Sequence, residues 1–493
     1  MMAALIAAAT LGELLGVASG GLSAVEVSAL TLDSRKVANG TVFVALPGTQ
    51  AHGLHYAADA LNRGASAVLF DPAEASALPE SAAVEAARLL PVEGLGSRLG
   101  AMARAFFWRD RRPPDLFGVT GTNGKTTVAW LVAQAMNGLG RDCGYVGTLG
   151  FGRPGALQRH ELTTPDCFSL HQELAEINAK FAAIEVSSHG LAQDRLAGLD
   201  FSIAAVTNLT RDHLDAHGSF ERYAAAKARI LKLPGLAAAV LNVDDEFAAG
   251  LVERLPAHVR SVRVARRASA DIEASVTRRG FGGQVLDLRI GGDVLRIESD
   301  LVGDFNAENL IVALGVLMAA GIEPSVACGA LSACRPAPGR LEVFRRDDGL
   351  TVIVDYAHTP DALERTVAAL REVSQAGDLA VVFGCGGERD AGKRPLMGQA
   401  VARASRVVLT DDNPRGESPE RIVADIERGL PEGLPYQIEH DRETAIATAI
   451  SAGKAGDVVL IAGKGHEDTQ DIAGHRRVLD DRAVVQAALG VAG

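Results

Sequence analysis

At 493 residues the chain is too long for one ordinary hydrophobic core, so about two to four domains are expected. Its 47% hydrophobic and 22% charged residues exclude a disordered chain, and the net charge of −12 argues against general nucleic-acid binding. An anionic ligand must therefore find a local positive pocket against an unfavourable overall field.

The apolar start, Met1 to Thr10, lacks a basic n-region, and Glu13 interrupts it before a spanning length is reached, so it reads as a packed helix that includes Leu11 to Leu15. No other stretch is long and apolar enough to cross a membrane, and no membrane partner is expected. Residues 1–113 carry short strands around Thr41–Leu46 and Ala67–Phe70 and end at the linker Arg111-Arg112-Pro113-Pro114. Residues 114–336 alternate strand and helix, which predicts a parallel sheet with helices on both faces. Its strands include Leu116–Thr120, Ala182–Val186, Ile203–Asn208 and Ala238–Asn242. A second proline cluster, Cys334 to Arg340, opens residues 337–493. There the apolar runs Thr351–Asp355, Leu379–Gly384, Arg406–Thr410 and Val458–Ala462 predict a second doubly wound α/β unit. Cys143, Cys167, Cys328, Cys334 and Cys385 include no C-x2-C pair, so neither a zinc site nor a disulfide framework is indicated and a reducing cytoplasm fits.

The most informative stretch is Phe117-Gly-Val-Thr-Gly-Thr-Asn-Gly-Lys-Thr-Thr127, between an apolar run and a helical face of Val128, Leu131, Val132, Ala135 and Met136. Small residues at Gly121, Thr122, Asn123 and Gly124 let backbone N–H groups close around a polyphosphate. Lys125 adds a mobile charge, and the hydroxyls of Thr126 and Thr127 sit at the helix start, where Thr126 can ligate Mg²⁺. The general P-loop spacing would need glycine at 119, yet Val119 stands there and Gly118 is one place early. Downstream, Glu185 near the end of one strand and Asp212-His213 after the next place a carboxylate and an imidazole at neighbouring strand ends, able to complete Mg²⁺ coordination. Lys227, on the helical run from Phe220, reads from spacing alone as a solvated lysine.

Thr-Gly-Thr-Asn-Gly-Lys-Thr-Thr, Glu-Val-Ser-Ser-His-Gly, Asn-Leu-Thr-Arg-Asp-His and Tyr-x3-Lys together resemble the Mur ligase family over essentially the whole chain, and the offset cradle is that family's own variant. The resemblance implies three α/β domains: a small N-terminal UDP-binding domain (1–113), a central P-loop ATPase domain with a parallel sheet (114–336) and a C-terminal Rossmann-like amino-acid-binding domain (337–493). It implies ligation through an acyl phosphate made from ATP, with Mg²⁺ as cofactor and Lys125, Glu185, His213 and Lys227 as catalytic residues. Lys227 is then N6-carboxylysine, its carbamate joining Thr126, Glu185 and His213 as metal ligands. A lysine can carry that change because a buried amine loses its proton readily.

The same resemblance assigns the remaining contacts. Leu32, Ser34, Thr49, Gln50 and Ala51 fall on uridine-binding segments. Thr163, Thr164, Ser187, Gln193 and Arg195 fall on those for the diphosphate and peptide, with Leu162 where some relatives have asparagine. Asn306, Asn309, Arg340 and Asp355 serve ATP. Arg415 follows a predicted strand directly, where a guanidinium can grip a carboxylate bidentately. Asp412-Asn413-Pro414-Arg415 resembles the signature of the family's meso-diaminopimelate-adding members, with Arg389, Gly463 and Glu467 as further contacts. Arg415 would attract a side chain ending in a carboxylate and repel one ending only in an ammonium.

The implied substrates are ATP, a UDP-MurNAc-dipeptide and meso-diaminopimelate, handled by a monomer in cytoplasmic peptidoglycan precursor synthesis. Three rivals are weighed: an L-lysine-adding relative, a folylpolyglutamate-type ligase, and a nucleotide-binding switch protein that performs no ligation. Arg415 disfavours the first, and the UDP-type N-terminal segment the second. The third leaves Glu185, His213 and Lys227 without a shared role.

Overall fold

The structure, a computed structural model, describes residues 9–16, 25–48, 51–74, 88–212, 214–374 and 377–490. Thr49, Gln50 and His213 lie outside the described residues. The chain forms two compact units that interleave along the sequence, one of residues 1–118, 141–202 and 226–237, the other of residues 119–140, 203–225 and 238–493. Among the described residues no helix is long and apolar enough to cross a membrane.

In the first unit, the predicted N-terminal helix is found at Leu11–Leu15, started by a reciprocal capping box between Thr10 and Glu13 and stopped by Gly16 at φ 67°, while Ala9–Thr10 pair as a strand with Glu26–Val27 and the predicted stretch 1–8 lies outside the described residues. Four parallel strands follow in chain order, Ala29–Thr31, Thr41–Ala45, Ala67–Phe70 and Leu89–Pro91. Phe43, Ala45, Val68 and Phe70 alternate onto one face against Leu54, Ala57, Ala60 and Leu61, and Val42, Val44, Ala67 and Leu69 on the other face are buried too. Further on, Phe181–Glu185 pairs in parallel with Cys143–Gly147, which continues antiparallel into Gly150–Arg153 and Ala156–Gln158.

In the second unit, the parallel run Phe201–Val206, Ala238–Asn242 and Arg260–Ala265 leads to Ile272–Gly280. That strand turns into an antiparallel meander with Gly283–Ile290 and Asp293–Ser299, which the sequence reading does not contain. Its strands alternate charged and apolar residues, and glycines at 280, 282, 283, 291 and 292 stand at its two turns. The Asp304–Ala319 helix is apolar nearly all round and packs so closely that a Cβ at Gly315 would lie 2.6 Å from Val240 Cγ1.

The remaining sheet has the order Glu342–Arg345, Thr351–Asp355, Val458–Ala462, Leu379–Phe383, Arg406–Leu409, Tyr436–Ile438, parallel except at its first edge. Successive residues of each strand feed opposite cores. Ile353, Val381, Phe383, Val407 and Leu460 meet the helices Pro360–Ser374, Lys393–Ala400 and Pro419–Glu427. Val352, Val354, Val382, Val408 and Ile461 meet Arg442–Ser451 and Asp481–Leu489. This doubly covered sheet explains why its strands read as continuous apolar runs. A fully buried Arg442–Asp481 pair at 2.7 Å, with Arg442 also donating to Ala462 O at 3.0 Å, fixes the strand end that enters the loop at Gly463.

Candidate active site

The cradle is built by two close backbone approaches. At Gly121 (φ 150°) a Cβ would overlap Thr207 Oγ1, and at Gly124 (φ 88°) it would overlap Asn309 Oδ1, so both positions demand glycine on space and on backbone. Gly118 serves strand packing instead, because a Cβ there would press within 3.0 Å of the Phe201 ring. The offset spacing is thereby resolved. Gly124 caps the Lys125–Gly138 helix with no side-chain cap, leaving that N-terminus shaped for an anion. Lys125 Nζ folds back onto the carbonyls of Gly121 and Thr122, both at 2.9 Å.

Residues that spacing did not mark hold the loop. Asn208 Oδ1 accepts the Asn123 N–H at 2.9 Å, Thr207 Oγ1 donates to Asn123 O at 2.6 Å, and Asn123 Nδ2 donates to Asp361 Oδ2 at 2.9 Å. Thr122 Oγ1 lies 3.0 Å from the Tyr223 hydroxyl, whose burial pushes its pKa up. Nothing in the sequence pointed from Asp361, at the start of the Pro360–Ser374 helix, to the cradle.

Arg340 donates to Thr126 Oγ1 at 3.1 Å and lies 4.3 Å over the Tyr356 ring, a cation–π contact. Gly339 (φ 66°) presses on the Gly465–His466 backbone. Asn309 Nδ2 donates to Asn306 Oδ1 at 2.9 Å and Asn306 Nδ2 to Val302 O at 2.8 Å, so these buried amides brace the helix beside Gly124. Asp355 is buried and accepts from Leu341 N, Ala357 N and Thr366 Oγ1 at 3.0, 3.2 and 3.2 Å. Its carboxylate organises the turn after its own strand.

In the first unit, Thr164 Oγ1 donates to Glu185 O at 2.7 Å and accepts the Ser187 N–H at 2.9 Å, while Arg195 reaches Thr164 O at 2.6 Å and Gln193 Oε1 at 2.7 Å. Thr163 Oγ1 lies 3.2 Å from Thr148 Oγ1. Five sequence-selected residues thus form one polar cluster, and burial lowers the Arg195 pKa. Leu162 is 46% exposed. Glu185 is fully buried and accepts from the Tyr145 hydroxyl, from Thr148 N at 2.9 Å and from Thr148 Oγ1 at 3.1 Å. Lys227 is 1% exposed on the Phe220–Ala228 helix, which corrects the solvated reading taken from spacing. Leu32, Ser34 and Ala51 lie in turns at the carboxyl ends of the paired strands Ala29–Thr31 and Thr41–Ala45, where α/β sheets collect ligands.

Among the described residues, no group of three or more His, Cys, Asp or Glu is arranged to hold a metal. The Thr126 hydroxyl, a hard oxygen donor, is 4% exposed at the cradle and suits Mg²⁺ chemically.

At the C-terminal strand ends the selected residues meet. Asn413 Nδ2 donates to Asp412 Oδ1 at 3.0 Å and Glu467 Oε2 at 3.1 Å. Arg415 Nη1 donates to Gly387 O at 2.8 Å, and a Cβ at Gly463 would lie 2.8 Å from Asp412 Oδ2. Arg389 is exposed on the facing loop. That loop is underpinned by buried Arg394, which pairs with Glu417 at 2.7 Å and Asp425 at 2.9 Å. The guanidinium holds the Glu417 carboxyl down to about 2. Fully buried Lys464, which spacing did not single out, donates to Glu467 Oε2 at 3.1 Å.

Three family descriptions match the chain: "Mur ligase family, catalytic domain" at residues 26–107, "Mur ligase middle domain" at 119–317 and "Mur ligase, glutamate ligase domain" at 339–465. Each falls inside one of the three segments read from the sequence. The UDP-N-acetylmuramoyl-L-alanyl-D-glutamate–2,6-diaminopimelate ligase of Xanthomonas oryzae pv. oryzae is 44% identical over 94% of this chain and 94% of its own length. The ligase of the same name from Pseudomonas aeruginosa is 44% identical over 93% and 94%. A solved structure of an enzyme with that name superposes with a TM-score of 0.69 at 36% identity, covering 98% of this chain and 99% of that one.

Alanine at Gly124 must adopt φ near 88° and displace Asn309. Strain of about 1–3 kcal/mol at such a position should lower the thermal unfolding midpoint by about 2 °C or more, and displacement of the cradle N–H groups should in addition weaken ADP binding in calorimetric titration; an unchanged midpoint and unchanged affinity would contradict the demand for glycine.

Proposed function

We propose the following reaction for this chain, which belongs to the Mur ligase family: it adds meso-diaminopimelate to the D-glutamyl side-chain carboxylate of UDP-N-acetylmuramoyl-L-alanyl-D-glutamate, consuming ATP, in peptidoglycan precursor synthesis. The chain is an ATP-dependent, amide-bond-forming ligase of three α/β domains. We take the domain bounds as 1–113, 114–336 and 337–493, and the chain as a cytoplasmic monomer. The observation that carries the reading is the convergence of Asp412, Asn413, Arg415, Gly463 and Glu467 in a chain similar along its length to ligases of that name.

The chemistry asks little covalent work of the protein. The substrate carboxylate attacks the γ-phosphorus, ADP leaves, and the amino group of the incoming amino acid then displaces phosphate from the acyl phosphate with loss of a proton. The cradle N–H groups, Lys125 and Arg340 balance the charge that builds on the phosphates. Arg415 meets the distal carboxylate of diaminopimelate and Glu467 its distal ammonium, which orients the free amine. Leu32, Ser34, Thr49, Gln50 and Ala51 hold the uridine, and Thr163, Thr164, Ser187, Gln193 and Arg195 the diphosphate and peptide. Asn306, Asn309 and Asp355 act on ATP by shaping its surroundings.

Mg²⁺ completes the proposal, neutralising phosphate charge. Thr126, Glu185, His213 and the Lys227 carbamate are its expected donors. Burial supports the modification to this extent: Lys227 is 1% exposed and so stands within the fold and not in solvent.

Phosphate release from ATP is expected to require both the UDP-dipeptide and meso-diaminopimelate. L-lysine should support at most about a hundredth of the rate, the scale set by an unpaired buried charge. Release without an acceptor, or a preference for lysine, contradicts the assignment. Lys227→Ala should cost about a hundredfold or more in kcat, partly restored by added acetate or another short carboxylate. Full activity without that addition excludes the carbamate.

A further inference from the structure

The specificity signature is held by a segment that contributes no expected substrate contact. Arg415 sits at φ 53°, a left-handed backbone that a residue with a Cβ disfavours, so its surroundings must enforce it. The enforcing element is the hairpin Thr469–Ile472 and His475–Val478. The Arg415 N–H donates to Asp471 O at 3.0 Å, and Arg415 O accepts from Ala473 N at 2.6 Å. Asn413 Oδ1 accepts the Asp471 N–H at 3.0 Å. Lys464 latches the start of the hairpin by donating to Thr469 O at 2.7 Å.

Gln470 lies at the centre of this contact and is fully buried. Its Nε2 donates to Asp411 O at 3.2 Å and Asp412 O at 2.8 Å, and its Oε1 accepts from Arg477 Nε at 2.7 Å. Arg477 in turn reaches Asp441 at 3.0 Å, which caps the Arg442–Ser451 helix. One amide thereby uses both donors on the two carbonyls that precede Asn413 and its acceptor on an arginine tied to the rigid sheet layer. An apolar residue of similar size would leave two part-buried carbonyls and the Arg477 guanidinium without these partners.

We propose that Gln470 is a positioning residue for amino-acid selection, setting the Asp412–Arg415 turn so that Arg415 meets the distal carboxylate of the substrate. The inference rests on the reaction proposed above. Gln470 acts only through that turn and discriminates between an amino acid ending in a carboxylate-bearing head and one ending in an ammonium alone.

The test is steady-state kinetics on the full chain with saturating ATP and UDP-dipeptide, comparing meso-diaminopimelate with L-lysine for the unaltered enzyme, Gln470→Leu, Gln470→Glu and Arg477→Gln. Gln470→Leu should raise KM for diaminopimelate about tenfold or more and narrow the diaminopimelate-to-lysine ratio of kcat/KM, with KM for ATP changed less than about twofold. Gln470→Glu, which cannot donate to the two carbonyls, should behave the same way. Arg477→Gln, at the exposed end of the chain of contacts, should give a smaller shift in the same direction. An unchanged ratio in Gln470→Leu, whether activity is full or uniformly reduced, overturns the inference. Should both Gln470 variants fail to fold, Arg477→Gln decides: a narrowed ratio supports the role and an unchanged one overturns it. An unaltered enzyme that does not use diaminopimelate would instead refute the reaction itself.

Discussion

Two places where backbone must touch a neighbour without any side chain between them, Gly121 against Thr207 and Gly124 against Asn309, govern the nucleotide end of this molecule. Any larger residue would push against these neighbours at the start of the Lys125–Gly138 helix, whose first turn carries no side-chain cap. Much of what surrounds the loop exists to hold that approach. Asn208, Thr207 and Asp361 bond Asn123, and Asn306 braces Asn309. Lys125 and Arg340 stand beside the loop, the first bonded to the Gly121 and Thr122 carbonyls and the second to Thr126 Oγ1.

Arg340 connects this end to the amino-acid end. Its guanidinium reaches Thr126 Oγ1 and stacks on Tyr356, while Gly339 beside it rests on the Gly465–His466 backbone. The loop Gly463–Glu467 therefore cannot shift without moving the residue that touches the cradle. A ligase benefits from such a linkage, because the amine must meet an acyl phosphate whose lifetime in water is short. Arg442 and Asp481 secure the same loop from behind through Ala462.

The sequence disclosed the parallel strands well, because Thr351–Asp355, Ala238–Asn242 and Val458–Ala462 are buried on both faces and appear as uninterrupted apolar runs. The meander over Ile272–Ser299 escaped notice since its alternation is diluted by exposed charge, as at Arg278, Arg279 and Asp293. Motif residues at the cradle and at Asp412–Arg415 were legible from residue type. Their supports were not: Asp361, Lys464 and Gln470 were not singled out, and although Asn208 opens a motif quoted for the resemblance, only tertiary contact shows it bonding the loop. Lys227 shows the converse. Helical spacing made it solvent-facing, whereas packing buries it.

The central claim is that the cradle's phosphate chemistry activates a carboxylate. Oxygen-18 placed in the D-glutamyl side-chain carboxylate of the UDP-dipeptide tests it directly by mass spectrometry of the inorganic phosphate released in a complete reaction. The account predicts that each phosphate released carries one oxygen from the labelled carboxylate, because the acyl phosphate breaks at its acyl carbon. Phosphate free of label, alongside amide product, would contradict it.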